Sequence, residues 1–353
     1  MANRFILRLF HLLFLPLVLY PFTVEAYNLL PQTIRSPTTT RTSRSTGINL
    51  RLSSSSGHSQ DGNLRTMKCS DETTARFEGR NVLLTGASSG LGRSFALQLA
   101  QCGAKTLILS ARKQAELEKV AEECRKVASI SDFQVNIILG DLADKSSVAN
   151  LAKEALKICP TIDVLINNGG VSSRSNFVDT TIEVDERLMQ INFLAGAALA
   201  KAVVPAMVKK GQGAIIWISS VQGLLGIPQR TSYAASKFAV QGYCEALRGE
   251  VTSSGVTVHV ASPGYIRTNL SKSAVTGDGK AYGKMDPTTE KGADPDDVAV
   301  TILNSVTNGK MDFTVASDLS ATVAIYLRLL CPALLRSMLV KRFDKAQAKE
   351  KKD

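Results

Sequence analysis

Tyr233 and Lys237 stand four residues apart in the run Tyr233-Ala-Ala-Ser-Lys237. On a helix that spacing puts both side chains on one face. An ammonium beside a phenol stabilises the phenolate, so the pair predicts a tyrosine pKa lowered far enough for proton exchange near neutral pH. Thirteen residues upstream, Ser220 closes an apolar run. A hydroxyl there can hold a reacting oxygen by hydrogen bond. A second constellation lies earlier, in Asn81-Val-Leu-Leu-Thr85-Gly86-Ala87-Ser88-Ser89-Gly90-Leu91-Gly92. An apolar run stops at a glycine-rich turn and opens into a helical pattern, Phe95, Leu97, Leu99 and Ala100. This predicts a strand, a phosphate-cradling loop and a helix whose N-terminus faces an anion. Gly86 permits the sharp turn, Gly90 lets backbone approach a pyrophosphate, and Gly92 lets the helix pack close. The spacing is G-x-x-x-G-x-G, not the commoner G-x-G-x-x-G.

These residues need a sheet to carry them. Short apolar runs at Val82–Thr85, Thr106–Ser110, Val135–Leu139, Val164–Asn167, Ala214–Ser219, Val256–Ala261 and Phe313–Val315 are predicted strands. Helical stretches lie between them, among them Gln114–Ala128, Ser146–Cys159, Val184–Val208 and Ser232–Val251. Continuous apolar strands alternating with helices predict one doubly wound α/β domain, a parallel sheet covered on both faces, over residues 76–320. Ser220 then falls at the carboxyl edge of the sheet, where ligands of such sheets bind. Residues 271–293 are rich in Gly, Lys, Ser and Thr, and are expected as a mobile loop that shapes the substrate pocket together with Tyr265.

The edge of the second strand bears on cofactor choice. An acidic residue there would hydrogen-bond a ribose 2′-hydroxyl, but the chain has Leu109-Ser110-Ala111-Arg112. Arg112 can pair with a 2′-phosphate, which predicts NADP(H). A serine hydrolase is the rival the histidines disfavour: His11 and His58 fall in the N-terminal segment and His259 lies inside a predicted strand, so a Ser-His-acid triad is hard to build. Six scattered cysteines without a C-x-x-C pair predict neither a metal site nor a disulfide framework.

The net charge of +11 sits mainly in the tails. Residues 1–60 carry six arginines and one glutamate, and residues 341–353 six basic and three acidic side chains. The middle is nearly balanced, so no nucleic-acid partner is expected. Residues 1–26, with Arg4 and Arg8 before the apolar run Leu9–Phe22, predict a signal peptide or signal anchor. Residues 27–75 begin with a stretch free of acids and rich in Ser and Thr, a transit-like composition. Together they imply the endoplasmic reticulum, or a complex plastid reached through the secretory route. At the other end, residues 321–353 combine an apolar run interrupted by Arg328, Pro332 and Arg336 with the basic Lys341, Arg342 and Lys345. Two arginines in lipid are costly, so an interfacial amphipathic helix on a membrane surface is expected rather than a span.

Further motifs follow in order: Asp141-Leu142 after the third strand, Asn167-Asn168-Gly169-Gly170 after the fourth, Asn192 in a helix, and Pro263-Gly264 with Thr268. With the glycine turn and the Ser-Tyr-Lys set, the chain resembles the short-chain dehydrogenase/reductase family over residues 78–320. Gly169 stands where the family's N-N-A-G has alanine. The resemblance implies a Rossmann-type fold and hydride transfer from a nicotinamide cofactor. Tyr233 would be the acid in carbonyl reduction and the base in alcohol oxidation. Lys237 would bind the nicotinamide ribose and lower the tyrosine pKa, Ser220 would hold the substrate oxygen, and Asn192 would hold a proton-relay water. Thr85, Gly86, Ser88, Ser89, Gly90, Leu91, Gly92, Arg112, Asp141, Leu142, Asn168, Tyr233, Lys237, Pro263, Gly264 and Thr268 would line the cofactor. The C-terminal stretch resembles the family's membrane-associated branch, which implies a lipophilic ketone or alcohol. A 3-oxoacyl-carrier-protein reductase is the alternative that a plastid would favour, and a non-catalytic nucleotide-binding module the alternative of another class. Homodimers paired through long helices are a family habit, with Val184–Val208 and Ser232–Val251 as candidates.

Overall fold

The computed structural model describes residues 68–350. The expected signal segment (1–26), and the transit-like segment as far as residue 67, lie outside the described residues. Seven strands form one parallel sheet in the order β3-β2-β1-β4-β5-β6-β7. They are β1 (Asn81–Thr85), β2 (Thr106–Ala111), β3 (Gln134–Leu139), β4 (Val164–Asn167), β5 (Gly213–Ile218), β6 (Val256–Pro263) and β7 (Asp312–Val315). All seven fall where the apolar runs placed them. The chain reverses its winding between β1 and β4, and their diverging connections open a crevice at the carboxyl edge.

Consecutive strand residues point to opposite faces, and the core divides accordingly. Val82, Leu84, Leu107, Leu109, Ile166 and Ile216 pack against α2 (Gly90–Gln101), α3 (Gln114–Val127) and α9 (Pro295–Thr307), with Phe77 of α1 (Asp71–Phe77). Leu83, Ile108, Leu165, Ile215 and Trp217 face α4 (Lys145–Ile158), α6 (Ala195–Lys210) and α7 (Thr231–Val251). The expected domain start at residue 76 falls inside α1. That helix is fixed to α9, with Ser70 N and Thr73 Oγ1 both donating to Asn304 Oδ1.

α6 continues from α5 (Ile182–Met189) through a π-helical segment, Gln190–Leu194, in which Ala195 N donates five residues back to Gln190 O. Residues Ile182–Lys210 are long and apolar enough to cross a bilayer by length and composition. They are a core helix instead, with Ala195, Leu199, Val203 and Met207 buried against the sheet.

Two expectations are corrected. Residues 271–293 are held down rather than mobile. Ser271, Ala274 and Val275 are buried, Val275 bridges to Ser173 and Ala281, and Ile266 bridges to Ala293. A short helix, α8 (Pro287–Glu290), closes the stretch. The C-terminal run is not one helix but two, α10 (Leu319–Leu330) and α11 (Pro332–Glu350), broken at Cys331. Pro332 cannot donate into the preceding turn and takes the first position of the next helix, where no donor is needed.

Candidate active site

The glycine turn between β1 and α2 has the shape its composition demands. Gly86 and Gly90 adopt φ +65° and +51°, a region costly for side chains. A Cβ on Gly92 would lie 2.0 Å from Gly86 O, so only glycine lets α2 start this close to the turn. Ser88 is half-buried, Ser89 exposed and Leu91 buried under the turn. No acidic side chain stands in the first turn of α2, and the Ser89 hydroxyl makes no capping bond. The first amides of the helix thus keep their donors for an anion. Across the cleft, a Cβ on Gly90 would touch Thr268 Cγ2 at 2.9 Å. Thr268 follows Pro263-Gly264, where Gly264 N donates to Val315 O at 2.8 Å.

β4 is fastened to the same turn. Asn168 Nδ2 donates to Thr85 O and Gly86 O at 3.1 and 3.2 Å, and Thr85 Oγ1 accepts from the amides of Asn168 and Gly169. Leu142 lies against Gly169, where a Cβ would meet its Cδ1 at 2.4 Å. The departure from the family's alanine thus makes room for this leucine. Asp141 Oδ1 accepts from Ala143 N, bending the chain after β3. Arg112 is exposed just beyond β2.

The catalytic candidates converge on the same crevice. Tyr233 and Lys237 are buried on one face of α7, and Ser220, which caps the turn after β5, is close enough to the phenol to favour its ionised form. Ser220 Oγ also accepts from Gln222 N at 3.1 Å, which leaves its proton for an oxygen in the cleft. Lys237 Nζ donates to Ile218 O at 2.8 Å and lies 5.8 Å from the centroid of the Tyr233 ring. Asn192 reaches the site from the π-helical segment. Its Oδ1 accepts from Val171 N at 2.8 Å, and its Nδ2 donates to Val171 O and Ser236 Oγ, each at 2.9 Å. The carboxamide therefore braces the chain after β4 against α7. A Cβ on Gly170 would lie 3.1 Å from Asn192 Oδ1 and 3.5 Å from Lys237 Nζ, so both groups flank one bare stretch of backbone.

The expectation that Lys237 pulls the tyrosine pKa down is not met in this protein. Burial pushes the Tyr233 phenol above its ordinary value, and the opposing influences are the Ser220 hydroxyl, Arg230 and Arg174. The lysine is itself desolvated, which lowers it to about 8. It sheds its proton before the phenol would.

Sequence reasoning missed the groups around this tyrosine. Asp286 takes Arg174 and Arg230 as ion-pair partners, and the guanidiniums of Arg230 and of Arg342 in α11 favour the ionised form of Tyr265. Arg230 stands three residues before Tyr233, a helical spacing that could have flagged it. Arg174 and Asp286 gave no local signal. The C-terminal helices hold the mouth of the cleft from outside. Arg328 Nη1 donates to Leu224 O, its guanidinium covers the Phe238 ring at 4.6 Å, and Gln347 Nε2 donates to Asn176 Oδ1.

The sequence pattern of the short chain dehydrogenase family matches residues 80–279. Dehydrogenase/reductase SDR family member 7B of Danio rerio is 46% identical over 276 residues, 78% of this chain and 89% of its own length. A Drosophila melanogaster dehydrogenase/reductase SDR family protein 7-like is 43% identical over 277 residues, 78% of this chain and 84% of its own. Among solved structures, a Sphingobium yanoikuyae short-chain dehydrogenase in complex with NADPH is 27% identical with a TM-score of 0.60. That match covers 74% of this chain and 95% of the other.

The buried lysine generates a pH test. Burial lowers its folded pKa to about 8, below the ordinary lysine value of 10.5 that the unfolded chain keeps. Between these values the unfolded chain holds the proton and the folded one does not, so the lysine's contribution to stability rises with pH. Urea unfolding of the wild type and Lys237→Met, compared at pH 7.5 and 10.5, should show the wild type gaining on the order of 3 kcal/mol relative to the variant. A constant difference would mean a solvated ammonium.

Proposed function

This chain belongs to the short-chain dehydrogenase family, and from that membership we propose an NADP(H)-dependent carbonyl reductase or alcohol dehydrogenase acting on a lipophilic ketone or alcohol. The observation that carries the reading is the burial of Tyr233 and Ser220 together at the carboxyl edge of the sheet, with Lys237 one turn along the tyrosine's helix. The glycine cradle fits a dinucleotide, since its open amides and missing Cβ atoms leave room for a pyrophosphate. When bound, that cofactor supplies the hydride. Ser220 orients the carbonyl oxygen and steadies its developing charge, while Tyr233 delivers the proton that completes the alcohol. Lys237, held by Ile218 O, orients the ribose side of the site, and Asn192 keeps the chain after β4 in register with α7.

The NADP preference rests on Arg112, exposed at the end of β2 with no acidic residue beside it. NADPH oxidation measured over a panel of ketones should identify a substrate. Against that substrate Tyr233→Phe should lose roughly 10²–10⁴-fold in rate; equal rates in the two proteins would refute the assignment. Arg112→Asp should reduce the NADPH-over-NADH preference by at least about tenfold, the loss of one charge-assisted contact to a phosphate. A wild type that already favours NADH would overturn the cofactor reading.

The lipophilic substrate is supported by the outer face of the C-terminal helices. Leu319, Val323, Tyr326 and Leu330 recur at steps of four, three and four along α10 and are all exposed, as are Leu334 and Met338 of α11. Such a stripe with Arg336, Lys341 and Lys345 beside it suits an anionic bilayer surface. A bimane fluorophore attached at Leu329→Cys in the full chain should blue-shift when phosphatidylserine vesicles are added, and less with phosphatidylcholine alone. An unchanged emission would leave this face in water.

A further inference from the structure

Asp286 sits between two guanidinium groups. Arg174 Nε and Nη2 donate to its Oδ2 at 2.9 and 2.5 Å, and Arg230 Nη2 approaches the same oxygen at 3.3 Å. The three side chains are only 12, 11 and 15% exposed for Arg174, Arg230 and Asp286. Arg174 is fixed further by Nη1, which donates to Ser172 Oγ and Ser173 O at 2.7 Å each. Two permanent cations thus share one carboxylate, and one positive charge is left over in a wall that water reaches poorly.

Arg230 is the residue before α7 and lies nearly one turn from Tyr233, and both arginines favour its phenolate. The other groups around Tyr233 do not supply a lasting cation. Lys237, on its own helix, is weakened by desolvation, and Ser220 after β5 is a neutral hydroxyl. Val184 and Leu188 of α5, with Val171 and Val275, are apolar. Tyr265, after β6, is a second phenol, which burial raises but Arg230 and Arg342 bring below its ordinary value. The same cationic wall therefore acts on two phenols, and Arg342 reaches it through Tyr265.

We infer that Arg174, Asp286 and Arg230 form an electrostatic positioning unit for the acid/base tyrosine. The two guanidiniums hold a fixed positive potential on the Tyr233 oxygen, and the carboxylate between them sets its size. The inference rests on the reading of Tyr233 as the proton donor. During carbonyl reduction the phenol O–H bond breaks as the proton passes to the substrate oxygen, and negative charge appears on the tyrosine. A fixed cation nearby stabilises that charge in a low-dielectric site. Asp286 opposes it, and so its removal acts with the opposite sign to removal of either arginine.

The test follows the tyrosine itself in the full-length protein. With 13C at Cζ of tyrosine, the Tyr233 resonance is the one absent from Tyr233→Phe, and its chemical shift is followed against pH. Arg174→Gln and Arg230→Gln should each move the midpoint up by about half to one pH unit, and Asp286→Asn should move it down by a similar amount. Arg230→Lys, which keeps the charge, should return it close to the wild-type position. Midpoints that do not move, or that move the same way in the arginine and aspartate variants, would overturn the inference. So would arginine variants that raise KM for the panel substrate tenfold or more while the Tyr233 midpoint stays in place, since the pair would then be a handle for an anionic substrate. The titration reads the free protein, so an inactive ketone panel and a failed titration point to different errors.

Discussion

Everything at this site depends on how the ends of β1 and β4 are held together after their ladder stops. Parallel strands at a winding reversal send their chains in opposite directions, and backbone groups there would be left without partners. Asn168 and Thr85 resolve this with four hydrogen bonds between the two turns. The crevice is thereby open but rigid. Gly86 and Gly92 can approach within van der Waals limits because neither carries a Cβ. The asparagine following it in the chain's logic, Asn192, repeats the device one layer further on, joining Val171 to Ser236 of α7.

A rigid crevice lined with buried polar groups has an electrostatic consequence. Lys237 donates to Ile218 O, and burial weakens its hold on the proton. Tyr233 is weakened as an acid by the same burial. Two groups that a surface helix would leave with nearly equal acidities are thus driven apart, the lysine down and the tyrosine up. The arginine pair enters this balance as charge that pH does not remove. Desolvation sets the scale of the site and fixed charge adjusts it.

Much of this was legible in the chain. Strands buried on both faces carry continuous apolar runs, so all seven could be located. The glycine turn and the Tyr-Lys spacing are local patterns, and local patterns survive folding. What was hidden depends on distant partners. Arg174 and Asp286 are 112 residues apart, and Arg230 and Asp286 are 56 apart. Residues 271–293 have the composition of a free loop, yet Ala274 and Val275 are buried because Ser173 and Ala281 provide backbone partners. The break at Pro332 was visible as a residue but not as a division, since apolar periodicity runs on either side of it. The expected tyrosine acidity failed for a related reason. Helical spacing shows that Tyr233 and Lys237 are neighbours and says nothing of how dry the neighbourhood is.

The π-helical segment before α6 carries a consequence of its own. One additional residue in a single turn rotates everything downstream by about 100° relative to an uninterrupted α-helix. The faces before and after Gln190–Leu194 are therefore out of phase: Val184 and Leu188 look toward Tyr233, while Leu199 and Val203 look into the sheet. A shortened loop elsewhere could be absorbed by solvent. Deleting one residue here would instead swing Gly196 away from the Trp217 ring and aim a bulkier neighbour at it. Chain length through this turn is thus under tighter constraint than residue identity, and insertions or deletions should be rarer there than substitutions.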